Sequence, residues 1–158
     1  MAERIVVNTG PLLALAQGEA LDLAGRLPYL FICPAEVRAE LDRGAALGHP
    51  EVRPPWLHIV PLTRSLDPVA LAALDAGEAA VIQLAIEQRI QWVCIDETRG
   101  RRAAMAAGLK VTGALGLLVR VKTLGLTPAI RPIVERMAAA GVWYHADLIA
   151  RLLRAVDE

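Results

Sequence analysis

The chain places a small set of oxygen-bearing side chains directly after its apolar runs. Asn8 and Thr9 follow Ile5-Val6-Val7, and Asp96 and Glu97 follow Trp92-Val93-Cys94-Ile95. Two more acids sit on stretches with helical spacing. Glu40 has Glu36 one turn before it, and Glu78 comes directly after Gly77 at a helix start. In an open parallel sheet, ligands bind beyond the carboxyl ends of the strands, where loops and helix N-termini converge. Two acids at a strand end are costly to bury unpaired, so they call for a cation or for solvent. Two to four carboxylates with an amide oxygen make a hard-oxygen donor set, suited to Mg2+ or Mn2+ that keeps several waters. No His/Cys cluster competes for a softer metal. His49, His58 and His145 share no spacing and receive no catalytic role.

Each residue also has a purely structural reading. Glu78 at a helix start complements the macrodipole. Glu36 and Glu40 lie among Arg38 and Arg43, which fits a solvated helix face with ion pairs. Asp96 fits an N-cap for the helix beginning near Arg99, and Asn8 fits an Asx-turn before Pro11, itself suited to the first helical position. Residue types alone leave both sets of readings open.

These residues need elements to position them. Ile5-Val6-Val7, Leu30-Phe31-Ile32, Leu57-His58-Ile59-Val60, Trp92-Val93-Cys94-Ile95 and Leu109-Lys110-Val111 read as strands, mostly buried on both faces as in a parallel sheet. Helical spacing runs from Ala35 to Arg43, Gly77 to Gln88 and Arg99 to Ala107, the last stopped by Gly108. The alternation predicts a three-layer α/β/α domain with a central, mainly parallel sheet. Residues 114–124, 129–140 and 146–155 read as helices, a tail that packs onto the sheet or onto a partner. Residues 44–56, with Gly44, Gly48, Pro50, Pro54 and Pro55, read as a long loop. Residues 1–158 thus read as one domain, with the sheet core in 1–112 and the helical C-terminal portion in 113–158.

With 158 residues, 55% of them hydrophobic, the chain affords a sizeable core, which excludes a disordered linker protein. Its 17 Lys+Arg balance 17 Asp+Glu, which excludes coating nucleic acid through bulk charge. The balance hides an asymmetry. Residues 1–80 carry 6 basic and 10 acidic side chains, net −4, and residues 81–158 carry 11 and 7, net +4. Arg99, Arg101 and Arg102 follow the Asp96-Glu97 pair at once, positioned either for a phosphate backbone or for ion pairs on a solvated face. Lys110, Arg120 and Lys122 extend the positive half without aromatic interleaving, so no single-strand stacking platform is expected. Trp56, in the Pro-rich loop, reads as packing over the core rather than reaching a base or a partner. Cys33 and Cys94 end apolar runs and read as buried thiols. No signal peptide and no run of ~20 apolar residues stands out, so a cytoplasmic protein with no membrane association is expected.

The segments Ile5-Val6-Val7-Asn8-Thr9-Gly10-Pro11-Leu12, Pro34-Ala35-Glu36-Val37-Arg38-Ala39-Glu40-Leu41, Gly77-Glu78-Ala79-Ala80 and Ile95-Asp96-Glu97-Thr98-Arg99-Gly100-Arg101, in this order, give the chain a family likeness. It resembles the PIN domain superfamily, and within it a branch of small prokaryotic PIN-like proteins thought to bind nucleic acid. The likeness extends over Gly108-Leu109-Lys110-Val111-Thr112-Gly113 and the helical tail.

The resemblance implies a metal-dependent ribonuclease in which acids from separate segments hold Mg2+ or Mn2+. It places the family's acids on Asn8, Glu40, Glu78 and Asp96, with Glu97 in register as an alternative to Asp96. At an active site of this kind Thr9 and Thr98 are placed to position the attacking water or a phosphate oxygen, and Arg99, Arg101 and Arg102 to contact the RNA backbone. The resemblance further implies a homodimer, and in many members a toxin role opposite an antitoxin protein. Asn8 departs from the family pattern, which has Asp there. The amide keeps the oxygen and loses the charge, so a catalytically silent module that binds RNA or a protein is the alternative reading.

Overall fold

The computed structural model describes residues 2–158. Its elements are β1 (Glu3–Val7), α1 (Thr9–Gln17), α2 (Leu21–Gly25), β2 (Tyr29–Cys33), α3 (Ala35–Ala46), β3 (Leu57–Ile59), α4 (Pro68–Ala73), α5 (Ala76–Glu87), β4 (Trp92–Cys94), α6 (Thr98–Ala106), β5 (Lys110–Thr112), α7 (Ala114–Thr123), α8 (Arg131–Ala139) and α9 (Ala146–Ala155). The strands form one all-parallel sheet in the order β3-β2-β1-β4-β5, flanked by helices, which is the α/β/α architecture expected.

The strand order fixes where a ligand belongs. The chain winds outward from β1 to β3, then returns to the other side of β1 for β4 and β5. The winding therefore reverses between β1 and β4, whose register pairs Val7 with Cys94. The ladder continues one residue further, with the Asn8 N–H donating to the Cys94 carbonyl at 3.0 Å. Asn8 and Asp96 thus leave adjacent strands at the switch point.

Burial follows position in the sheet. Val6, Val7, Phe31, Cys33, Val93 and Cys94 are almost wholly buried, as parallel central strands require. The expectation of burial on both faces does not extend to β3, where His58 and Ile59 are exposed, nor to β5, where Lys110 is exposed. Both are short edge strands, which lack a neighbour on one side. Burial pushes the Cys33 thiol up to about 11 and raises Cys94 as well, so both are the inert free thiols expected.

The helices differ from expectation at their ends. Helix α1 begins at Thr9, so Pro11 is its third residue rather than its first. Helix α3 runs through Gly44 to Ala46, shortening the expected loop. A single helical Gly costs roughly 1 kcal/mol, and the burial of Val37 and Leu41, with Arg38 bonded to Asp42 and to the Val52 carbonyl, outweighs it. Helices α2 and α4, at 5 and 6 residues, are too short for periodicity to reveal. Helix α4 does have a start signal in Asp67-Pro68, where Asp67 accepts from the Val69 N–H at 2.9 Å.

The C-terminal portion, expected to pack onto the sheet or onto a partner, meets the sheet through α7. Helix α7 lies against β5, α1 and α2, and α8 lies against α1. Glu158 ties the end of the chain back, accepting from the N–H groups of Ile130 and Arg131 at 2.8 and 2.9 Å and from Lys122 Nζ at 3.0 Å. The turn between α8 and α9 crosses toward the end of β4. Among the described residues, no helix is long and apolar enough to cross a membrane.

Candidate functional site

Asn8 occupies the N-cap of α1 in an extended conformation, yet its side chain makes no capping bond. It is 6% exposed, and its Oδ1 is buried with no hydrogen-bond partner. The Asx-turn reading therefore does not hold. A buried, unmatched amide oxygen costs about 1–3 kcal/mol, a penalty that proteins tolerate chiefly at functional sites.

Glu40 is half-buried on α3 and accepts from the Thr9 hydroxyl at 3.0 Å. Burial raises its carboxyl above the ordinary value, and the Asp75 charge adds to this. The Thr9 hydrogen bond, the Arg43 charge and the Gly77 backbone act in the opposite direction. Gly77 leaves room for this carboxylate, because a Cβ there would lie within 2.9 Å of the Glu40 Cδ and closer still to Oε1, and Glu40 would have to move aside. The preceding acid on α3, Glu36, also has a buried Oε1 without a partner, although the sequence marked it only as a neighbour of Glu40.

Glu78 is fully buried at the third position of α5. It forms a capping box with Asp75, whose Oδ1 accepts from the Glu78 N–H at 2.7 Å while Glu78 Oε1 accepts from the Asp75 N–H at 3.2 Å. The structural reading of Glu78 as a helix-start residue is thus fulfilled, but by one oxygen only. That same Oε1 accepts from Arg99 Nη2 at 3.2 Å, whereas Oε2 is buried with no partner.

Asp96 caps a different helix from the one expected. Its Oδ1 accepts from the Ala114 N–H at the start of α7, 2.9 Å away, and its Oδ2 accepts from the Tyr144 hydroxyl at 3.2 Å. Burial raises its carboxyl above the ordinary 3.8, against the pull of these two hydrogen bonds and the Arg101 charge. The N-cap of α6 is Glu97, which is exposed and makes no capping bond. Asp96 turns inward and Glu97 outward.

The basic residues divide in the same way. Arg101 is half-buried, and its Nη1 donates to the Ile95 carbonyl at 2.9 Å, which engages it with the end of β4. Arg99, Arg102 and Thr98 are exposed at the start of α6. Arg99 reaches the buried Glu78 from solvent, so it is neither a free surface charge nor a closed internal pair.

The donors suit a hard cation better than a soft one, being amide and carboxylate oxygens. Among the described residues, no three His, Cys, Asp or Glu side chains converge into a metal-holding group. Among those residues, three side-chain oxygens at or beside the candidate positions are buried without a partner, Asn8 Oδ1, Glu78 Oε2 and Glu36 Oε1. So few protein ligands match an ion such as Mg2+, which keeps much of its water shell.

Beside Asp96 opens a groove of about 680 Å3. Asp96, Thr98 and Arg99 line one wall, Gly10 and Leu13 of α1 another, and Trp143, Tyr144 and His145 a third. A larger groove, of about 820 Å3, lies between residues 63–68 and α5, and none of the candidate acids lines it. Residue types alone missed Tyr144 and the groove. The available signal was the run Trp143-Tyr144-His145 after Gly141, an aromatic cluster in a turn. Trp56 packs on Phe31 with ring centroids 4.9 Å apart, as expected for a core-covering residue.

The PIN-domain family model matches residues 4–158. Nothing among curated proteins or solved structures matches the chain. PIN domains are in general nucleases and typically use divalent metals, which accords with an all-parallel sheet whose switch point gathers oxygen donors. With nearly its whole length matched, the chain belongs to the PIN-domain family and is a nuclease-like module.

Proposed function

We propose that this chain is a metal-dependent ribonuclease that hydrolyses RNA phosphodiesters with Mg2+ or Mn2+. The observation that carries this reading is the pair of buried, unpartnered oxygens, Asn8 Oδ1 and Glu78 Oε2, on two of the four family acid positions. Such atoms are destabilising without a ligand, and a hard cation satisfies both.

Asn8 and Glu78 would hold the ion, and Glu40 and Asp96 would supply further negative charge. When bound, the cation supplies an activated water nucleophile and stabilises charge developing on the phosphate. Thr9 fixes the Glu40 carboxylate, and Ala114 and Tyr144 fix that of Asp96. Arg99 faces solvent at the rim, where its guanidinium can exchange Glu78 for a phosphate oxygen, with Thr98 and Arg102 contacting the backbone nearby.

The test is incubation with a panel of structured and unstructured RNAs in Mn2+. Cleavage abolished by EDTA, by Glu78→Gln and by Asp96→Asn supports the proposal, and the variants exclude a contaminating nuclease. Absence of metal-dependent cleavage across the panel overturns it.

A second reading, a silent module that binds RNA or a protein, is favoured by one specific observation. Asn8 carries no charge, and both Asp96 oxygens are already hydrogen-bonded to the protein. Asn8→Asp discriminates between the two readings, because only a metal site gains affinity from the added carboxylate. We further propose a toxin role opposite an antitoxin protein, and a homodimer. A neighbouring short reading frame with a DNA-binding N-terminal motif supports the first, and sedimentation giving a monomer at micromolar concentration overturns the second.

A further inference from the structure

We propose that the groove beside Asp96 is a base-stacking subsite for single-stranded RNA, with the Trp143 indole as its platform. This rests on the nucleic-acid reading above and adds to it the residue that grips a base.

Trp143 is 79% exposed, which leaves a large aromatic face open to a ligand. It does not hang on a loose tail. The next residue, Tyr144, is anchored by its hydroxyl to Asp96, and His145 caps α9 through Nδ1, which accepts from the Asp147 N–H at 3.2 Å. The turn that carries Trp143 is therefore pinned on its C-terminal side to the candidate site itself. The indole and the His145 imidazole meet at 76° with centroids 6.2 Å apart, making a corner rather than a closed stack.

The opposite wall is open. A Cβ on Gly10 would meet no heavy atom within 4 Å, so α1 leaves space where it passes the groove. Its volume of about 680 Å3 falls within the roughly 300–1,000 Å3 of small-molecule sites, room enough for a nucleotide. At the same rim, beside the carboxylates of Asp96 and Glu97, stand the exposed Thr98 and Arg99, a hydroxyl and a cation that can turn from Glu78 to the phosphate joined to a stacked base. An aromatic face beside a backbone-binding cation is the arrangement that grips single strands, and a paired base cannot reach it because its faces are already stacked.

Fluorescence anisotropy of the full chain in EDTA, with a labelled oligouridylate and with a duplex of matched length, tests the proposal without invoking catalysis. Single strands are expected to bind more tightly than duplex. Trp143→Ala should weaken single-strand binding roughly 5- to 150-fold, whereas Trp143→Phe should retain most of it, and circular dichroism should be unchanged for both. Single-strand binding unaffected by Trp143→Ala overturns the proposal, as does equal binding of duplex. Binding of neither RNA overturns it, and a concentration-dependent shift of tryptophan emission that Trp143→Phe lacks would assign the ring to a contact between protein chains instead. Trp143-dependent binding without cleavage in Mn2+ would leave this subsite standing and remove the nuclease. Cleavage with KM and EDTA binding untouched by Trp143→Ala would do the reverse.

Discussion

The Tyr144 hydroxyl donates to Asp96 Oδ2 across 3.2 Å, joining the turn after α8 to the residue that follows β4. The two are 48 positions apart in the chain. Asp96 is also held by the Ala114 N–H, so the start of α7, the end of β4 and the α8–α9 turn meet on one carboxylate.

Tyr144→Phe removes one hydrogen bond to an ionised group, so a loss of about 1–2 kcal/mol is expected above the Asp96 titration. Below it, where the carboxyl is protonated, the loss should shrink. Chemical denaturation of both proteins across pH measures the difference. A loss independent of pH would mean that Tyr144 acts through packing alone.

Asp96→Asn should remove activity and abolish this group's part of the pH dependence of stability. Burial raises the folded carboxyl above its ordinary 3.8, so the native state holds the proton more tightly than the unfolded chain. Stability contributed by this group is full below 3.8 and falls as pH rises through the folded value. Asparagine keeps one acceptor oxygen against two donors, so the variant should melt below wild type in acid, by a margin that narrows as pH rises. A margin independent of pH would contradict this.

Asn8→Asp should separate folding from metal binding. Without metal, a buried carboxylate in place of the amide should cost about 1–3 kcal/mol. With Mn2+ the order should invert, because metal that binds only the folded state stabilises it by mass action, about 2.7 kcal/mol at one hundred times Kd. Thermal shift in EDTA and in Mn2+ reads both halves. An identical Mn2+ response in the two proteins would favour the silent module.

Arg99→Ala leaves the buried Glu78 carboxylate without its cation. The expected loss is about 1–2 kcal/mol, the lower part of the range for a bond to a charged group, since solvent already screens Arg99. Urea denaturation checks it. Glu78→Gln in the same background should recover part of the loss.

Gly77→Ala should destabilise by about 1–3 kcal/mol through the clash with Glu40, despite the better helix propensity of Ala. Combining it with Glu40→Ala should restore much of the stability. The two changes should therefore be strongly non-additive in a double-mutant cycle, and additivity would show that the contact carries no strain.

The sequence revealed most where chemistry and periodicity are local. The runs that became β1, β2 and β4, and the polar residues after them, could be placed from burial pattern alone, and the strand order then brought Asn8 and Asp96 together. The choice between Asp96 and Glu97 was not legible, because it depends on Ala114 and Tyr144, which reach Asp96 from elements 18 and 48 positions away. Trp143 escaped for the same reason. A search for aromatics interleaved with basic residues along the chain cannot find a ring that α8, packed on α1, carries back to the site. Gly44 misled in the other direction, since its intrinsic cost in a helix is smaller than the tertiary contacts that extend α3 past it.

The bond from the Asn8 N–H to the Cys94 carbonyl makes the sheet itself a ruler. Neighbouring strands are held about 4.8 Å apart by their backbones, so the gap between the chains leaving β1 and β4 is set by peptide geometry rather than by any side chain. Position 8 can therefore change from amide to acid without moving its frame. Charge at this edge is adjustable independently of shape, so under the proposed nuclease reading one scaffold can be tuned between cutting a strand and merely holding it.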